Sequence, residues 1–251
     1  MGELIETPTF KLAVYAKGDK NADKLALVLP GRLDTKDYIH MRSHVNFLAE
    51  NGYYALSFDM PGIWESPGDI KDYTTTNYIK IVHDLIEHFG NRPTLLVGHS
   101  RGGAVAILAG ANNKNVTGIV PIMATYGAPS SPSPEDIKAG MHISFRDIPP
   151  GNTKTAEQKK FVLPLSYFDD GKMYNPAETL KDLNIPKLLI YGTQDEFTKP
   201  ERVKEVYRSI PEPKMFLELD TEHDYRYHPE VIKKVNRTIA EFLEKYPTGD
   251  T

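Results

Sequence analysis

The 251-residue chain contains no cysteine. That removes disulfides, thiolate-zinc sites and a cysteine nucleophile together. Charge of one sign is scarce as well: the net charge is −4, with acids and bases interspersed, so no basic stripe points to nucleic acid. No window approaches eighteen uninterrupted apolar residues, and no membrane span is expected. The start, Met1–Glu6, is acidic and lacks the basic-then-apolar order of a secretory signal, and Glu6 stands where a myristoylation motif requires Ser or Thr. These absences lead us to expect a cytoplasmic protein without a nucleic-acid partner, its oligomeric state open.

What is present is ordinary globular material, 40% hydrophobic and 25% charged, in a length that permits one large α/β domain. Thr9–Tyr15 places Phe10, Leu12 and Val14 on one side, as a half-buried strand does. Lys24–Leu29, Tyr54–Phe58, Thr94–Val97, Gly118–Met123, Lys187–Tyr191 and Lys214–Leu219 are short apolar runs that read as buried strands. Pro121 counts against the fourth of these, because a central strand uses every amide. Helical spacing runs through Tyr38–Asn51, Thr76–Phe89, Ala104–Ala111, Glu201–Ser209 and Glu230–Tyr246. Such alternation predicts a mostly parallel sheet with helices on both faces. The stretch from about 126 to 179 shows no clear period and reads as a lid-like insertion in a single domain spanning 1–251.

Leu95-Leu96-Val97-Gly98-His99-Ser100-Arg101-Gly102-Gly103-Ala104 carries the chemistry. It is a buried strand, then G-x-S-x-G, then a helix-forming run. A serine lifted above a sheet on a strand-to-helix turn needs small neighbours two residues to either side, and Gly98 and Gly102 supply them. A phosphate-binding loop would need Lys at 104, where Ala stands. Ser100 is therefore the expected nucleophile, with the amide of Arg101 as one oxyanion donor.

A serine nucleophile needs a base, and the base an orienting carboxylate, in the order Ser, acid, His. Only His223 and His228 lie far enough along the chain. His228 precedes Pro229 and reads as a helix entry, so His223 is the expected base. Asp195 and Glu196 follow the strand Lys187–Tyr191; Asp195 is the expected acid and Glu196 its alternative.

With these residues assembled, the chain resembles the α/β-hydrolase superfamily, especially its small esterase and serine aminopeptidase-like members, over nearly its whole length. Phe58-Asp59-Met60-Pro61-Gly62-Ile63-Trp64-Glu65-Ser66 is similar to the family's D-x-P-G-x-G-x-S loop, with Trp64 and Glu65 departing from it. The resemblance implies an α/β-hydrolase fold, no cofactor and no metal. It also implies that the Leu29-Pro30-Gly31-Arg32 loop matches the His-Gly-x motif, with Gly31 allowing the turn and Arg32 donating the second oxyanion amide. Pro30 replaces the motif's His and removes a side chain that braces the loop.

The expected activity is hydrolysis of a small-molecule carboxylic ester through an acyl-enzyme. Thioesterase, amidase or acyltransferase chemistry would use the same residues, and a non-catalytic ligand-binding protein would use the same fold. Ser rather than Asp at 100 argues against family members that open epoxides or remove halides. The guanidinium groups of Arg32 and Arg101 are expected to point outward and pair with acids such as Asp34 or Asp59, the alternative being capture of a substrate anion. His40 and His44 lie four apart, but Met41 replaces the Glu of H-E-x-x-H, so they read as helix surface. His99 reads as packing.

Overall fold

A computed structural model describes residues 3–127 and 131–247. Met1 and Gly2 of the N-terminal reading, three residues of the 126–179 segment and residues 248–251 lie outside it. Among the described residues, eight strands form one sheet in the order β1-β2-β4-β3-β5-β6-β9-β10. These are β1 (Glu3–Glu6), β2 (Lys11–Lys17), β3 (Lys24–Leu29), β4 (Tyr53–Phe58), β5 (Thr94–His99), β6 (Val116–Ile122), β9 (Lys187–Gly192) and β10 (Lys214–Leu219). The pairs β1·β2 and β2·β4 are antiparallel, and the remaining pairs are parallel.

The central strands are buried on both faces, and their side chains alternate between two apolar layers. In β3, Leu25, Leu27 and Leu29 join one layer while Ala26 and Val28 join the other. The first layer is closed by α2 (Thr75–His88), α3 (Arg101–Ala111) and α7 (Pro200–Ser209), through residues such as Tyr78, Ile81, Val105 and Val203. The second is closed by α1 (Ile39–Glu50) and α8 (Pro229–Lys245), through Met41, Val45, Ile232, Val235, Ile239 and Phe242. Each such aliphatic side chain contributes about 1.5–3 kcal/mol by leaving water. The mostly parallel sheet with helices on both faces is what the alternating pattern predicts, and it is the α/β-hydrolase fold that the resemblance implies.

Pro121 does sit inside β6. The register of β6 with β9 pairs Ile119 with Lys187 and Ile122 with Ile190, while the amides of Ile119 and Met123 donate to Pro186 and Ile190. Pro121 falls in the gap between these bonds, so the sheet gives up one hydrogen bond there and keeps its register.

The segment joining β6 to β9 is more regular than its sequence suggests. It holds α4 (Pro134–Ala139), the hairpin β7 (Met141–Asp147) and β8 (Gln158–Pro164), α5 (Ser166–Gly171) and α6 (Pro176–Lys181). Asp170 fastens it to the sheet domain by accepting from the Thr75 and Thr76 amides at the start of α2. Among the described residues, no helix is long and apolar enough to cross a membrane.

Candidate active site

Ser100 occupies the turn between β5 and α3 with φ 53° and ψ −117°, a strained backbone for a residue with a side chain. Its amide donates to Ile122 O at 2.8 Å, which ties the turn to the neighbouring strand. A Cβ at Gly98 would fall on the Gly102 carbonyl, and one at Gly102 on the Leu29 carbonyl. Both glycines are thus demanded by close backbone approach, as the spacing predicts.

The loops after β9 and β10 bring the other two residues to Ser100. They are sewn together by Thr193 N to Leu219 O and Gln194 N to Thr221 O, at 2.8 and 3.1 Å. The His223 ring then bridges the site: Nε2 lies 2.9 Å from Ser100 Oγ, and Nδ1 lies 3.0 Å from both Asp195 oxygens. Asp195 Oδ1 also accepts from the Phe197 and Thr198 amides. Burial pushes the Asp195 carboxyl up, but the hydrogen bond and charge of His223 and the two amides hold it below the usual range. Glu196, the alternative acid, faces the His223 amide at 3.3 Å instead of the ring. His228 caps α8 ahead of Pro229.

Beside this chain, the loop after β3 is held group by group. Tyr78 OH donates to Pro30 O at 2.9 Å, and Asp34 N to Gly31 O at 3.3 Å. Arg146 Nε donates to Arg32 O at 2.8 Å, Trp64 Nε1 to Leu33 O at 2.8 Å, and Leu33 N to Tyr73 OH at 2.6 Å. Every carbonyl from Pro30 to Leu33 is engaged. Among the described residues, the Arg32 amide donates to no acceptor. Pro30 removes the motif's bracing His, and two tyrosines and a tryptophan do the bracing here.

Residues 26–235 match the model of the alpha/beta hydrolase family. The chain belongs to that family. Among named relatives, it is 23% identical over 237 residues to the mouse mitochondrial palmitoyl-protein thioesterase ABHD10, spanning 88% of this chain and 76% of that protein. Of solved structures, mouse alpha/beta hydrolase domain-containing protein 10 superposes with a TM-score of 0.76 at 20% identity, covering 97% of this chain and 98% of the other. Est1E from Butyrivibrio proteoclasticus, bound to ferulic acid, gives a TM-score of 0.75 at 19% identity, covering 98% and 99%. At these identities the structural likeness speaks to the fold.

Two departures from sequence expectation distinguish this family member. Arg101 does not point outward to an acid. It is buried, and its guanidinium lies 4.3, 5.3 and 5.1 Å from the ring centroids of Tyr73, Tyr78 and Tyr167. The helix carries the residue into the first apolar layer, where ring faces take the place of a carboxylate. Two of those rings are the ones that hold Pro30 and Leu33.

The second departure is at α1. His40 and His44 are not on the helix surface but fully buried, because Tyr225 and the middle of α8 at Asn236 cover that face. His44 Nδ1 meets Asn236 Oδ1 at 2.6 Å and Nε2 meets Tyr225 OH at 2.7 Å, a pairing that a neutral ring satisfies. His40 stacks edgewise on His99. His99 Nε2 donates to the His223 carbonyl at 3.1 Å, and Nδ1 lies 3.4 Å from Asp34 Oδ2, so His99 supports the backbone of His223 and is more than packing. Burial pushes Asp34 up, but the His99 hydrogen bond and the charges of Arg146, His99 and Arg226 leave it well below the usual carboxylate range. Among the described residues, Asp34, His40 and His99 are the buried trio whose ligand atoms, all within 4.8 Å of one another, suit a metal ion. None of the bonds described around Ser100 requires one.

Proposed function

We propose that the protein hydrolyses carboxylic esters through an acyl-enzyme on Ser100, with thioesters as a second substrate class. One observation carries the reading: a single imidazole spans Ser100 Oγ and the Asp195 carboxylate at hydrogen-bond distance on both sides. In this reading His223 Nε2 takes the Ser100 proton as Oγ attacks the substrate carbonyl. Asp195 fixes the tautomer through Nδ1–H and stabilises the imidazolium. The amides of Arg32 and Arg101 receive the oxyanion. Nε2–H then protonates the leaving alkoxide or thiolate, and a water activated by the same nitrogen releases the acid.

A cavity of about 360 Å³ adjoins Ser100 and His223, with Val105, Leu108, Tyr167, Tyr174 and Pro176 on its apolar side. That wall suits an acyl chain or an aromatic acid. The thioester option rests on the mouse relative, a palmitoyl-protein thioesterase. That relative is mitochondrial, which lends nothing to the cytoplasmic expectation.

The test is fluorophosphonate labelling with peptide mapping, beside p-nitrophenyl ester and acyl-thioester assays on wild type and Ser100→Ala. Label on Ser100 and turnover lost in the variant are expected. Folded wild type that neither labels nor turns over either class would leave the fold as a ligand binder.

A further inference from the structure

Resting on the hydrolase reading for the reaction but not for the binding, we propose that the substrate bears a carboxylate, held by the guanidinium groups of Arg32 and Arg146. Both side chains line the cavity that holds Ser100 and His223. Arg32 is half-buried there, yet among the described residues no ion pair and no side-chain hydrogen bond holds its guanidinium. The acids of the same wall are already committed. Asp34 lies against His99 and Arg146, Glu196 accepts from the His223 amide, and Asp224 pairs with Arg226 at 3.2 Å. A guanidinium drawn partly out of water with no counter-charge is costly, and a carboxylate is the group whose geometry its fork matches.

Arg146 supplies the second half. Its Nε is fixed to Arg32 O at 2.8 Å, which aims the side chain along the oxyanion loop. Its side chain is 21% exposed; Nε also lies 3.7 Å from Asp34 Oδ1, and the two terminal nitrogens make no hydrogen bond among the described residues. Arg32 comes from the loop after β3 and Arg146 from β7, so the two residues line the cavity from separate elements. Because the proposed reaction also uses the Arg32 amide for the oxyanion, the carboxylate sits a short distance from the scissile bond, as in a half-ester of a short dicarboxylic acid.

The experiment compares mono-p-nitrophenyl glutarate with p-nitrophenyl valerate, which match in chain length and differ in charge. Wild type is expected to prefer the half-ester in kcat/KM. Arg32→Gln and Arg146→Gln should each lower that preference by about tenfold, mainly through KM, and Arg32→Lys should restore part of it. Using the ratio removes any loss common to both esters through the Arg32 amide. An unchanged ratio, or a wild type preferring valerate, overturns the proposal. Calorimetric titration of Ser100→Ala with monomethyl glutarate and methyl valerate reads the site without turnover. Glutarate binding weakened by Arg32→Gln supports it, and equal or absent binding overturns it. Absence of fluorophosphonate labelling would instead count against the hydrolase reading.

Discussion

Arg101 serves the oxyanion loop twice in the reading given above, by its own amide and by a side chain packed on the tyrosines that hold Pro30 and Leu33. The tyrosine rings restrain the loop only if something restrains the rings, and the guanidinium fills the space between three of them. Arg101→Met keeps most of the volume and removes the charge, so the cage should loosen without a large cavity. We expect kcat on a p-nitrophenyl ester to fall by about tenfold with KM within about threefold, less than the loss from deleting an oxyanion donor outright. A transition-state analogue such as a trifluoromethyl ketone should weaken in parallel with kcat. If the variant lowers only the melting temperature and leaves kcat and analogue affinity alone, the side chain is structural. Tyr73→Phe isolates one strand of the brace, leaving the buried Leu33 amide unpaired at a cost of about 1–3 kcal/mol. Urea unfolding reads that loss directly.

Apart from β1 (Glu3–Glu6), a four-residue edge strand with only Ile5 buried, the strands and flanking helices of the sheet were legible as short runs set off by Gly or Pro, and the turn carrying Ser100 was legible because its glycines are sterically required. Gly102→Ala would drive a Cβ into the Leu29 carbonyl, and neither backbone can yield without moving β3 or α3. We expect a loss above about 3 kcal/mol or failure to accumulate folded protein. Gly52→Ala is the control: Gly52 has φ 83° with open space around it, so only the conformational penalty of about 1 kcal/mol applies. Gly102 has no positive φ, so a loss there no larger than at Gly52 would mean that close approach to the Leu29 carbonyl does not set the requirement. The segment between β6 and β9 was not legible, for an opposite physical reason. In β7, Met141, Ile143 and Phe145 alternate correctly for a strand, but all three are exposed while Arg146 turns toward the cavity. A pattern read as apolar-inside assigns such a strand to the wrong face or to none. Of its aromatics, Tyr167 and Tyr174 line the cavity, Tyr126, Phe161 and Phe168 are core, and Phe145 is on the surface, a division set by tertiary packing alone.

At the scale of the molecule, the second apolar layer is not wholly apolar: His40, His44 and His99 sit together beside His223, covered by Tyr225 and α8. Periodicity could not find this, since it says which residues share a face and not what later sequence covers it. The spacing of His40 and His44 reads as helix surface, although Met41, Val45 and Leu48 beside them belong to the buried face of α1. The burial has a pH consequence whose sign is fixed. Desolvation, against a hydrogen bond to Asn236 and with the nearby His99, brings the His44 pKa down from 6.5 to about 4, and burial lowers His40 further in the same sense. Between those values the unfolded chain binds the protons that the folded one refuses, so stability rises with pH across the window. It is complete above the unfolded pKa near 6.5 and declines as the pH falls toward 4, by about 3 kcal/mol for His44 alone. Asp34, held low in the folded state, adds a separate loss only below the ordinary carboxylate range. Urea unfolding at pH 7.5, 6.5, 5.5 and 4.5 on wild type and His44→Gln separates the two. Glutamine can keep a donor toward Asn236 and an acceptor toward Tyr225 while titrating nowhere in this range. The variant should be weaker than wild type at pH 7.5 and should lose markedly less stability on acidification. Parallel curves for the two proteins down to pH 4.5 would place the acid sensitivity elsewhere than in the buried histidine.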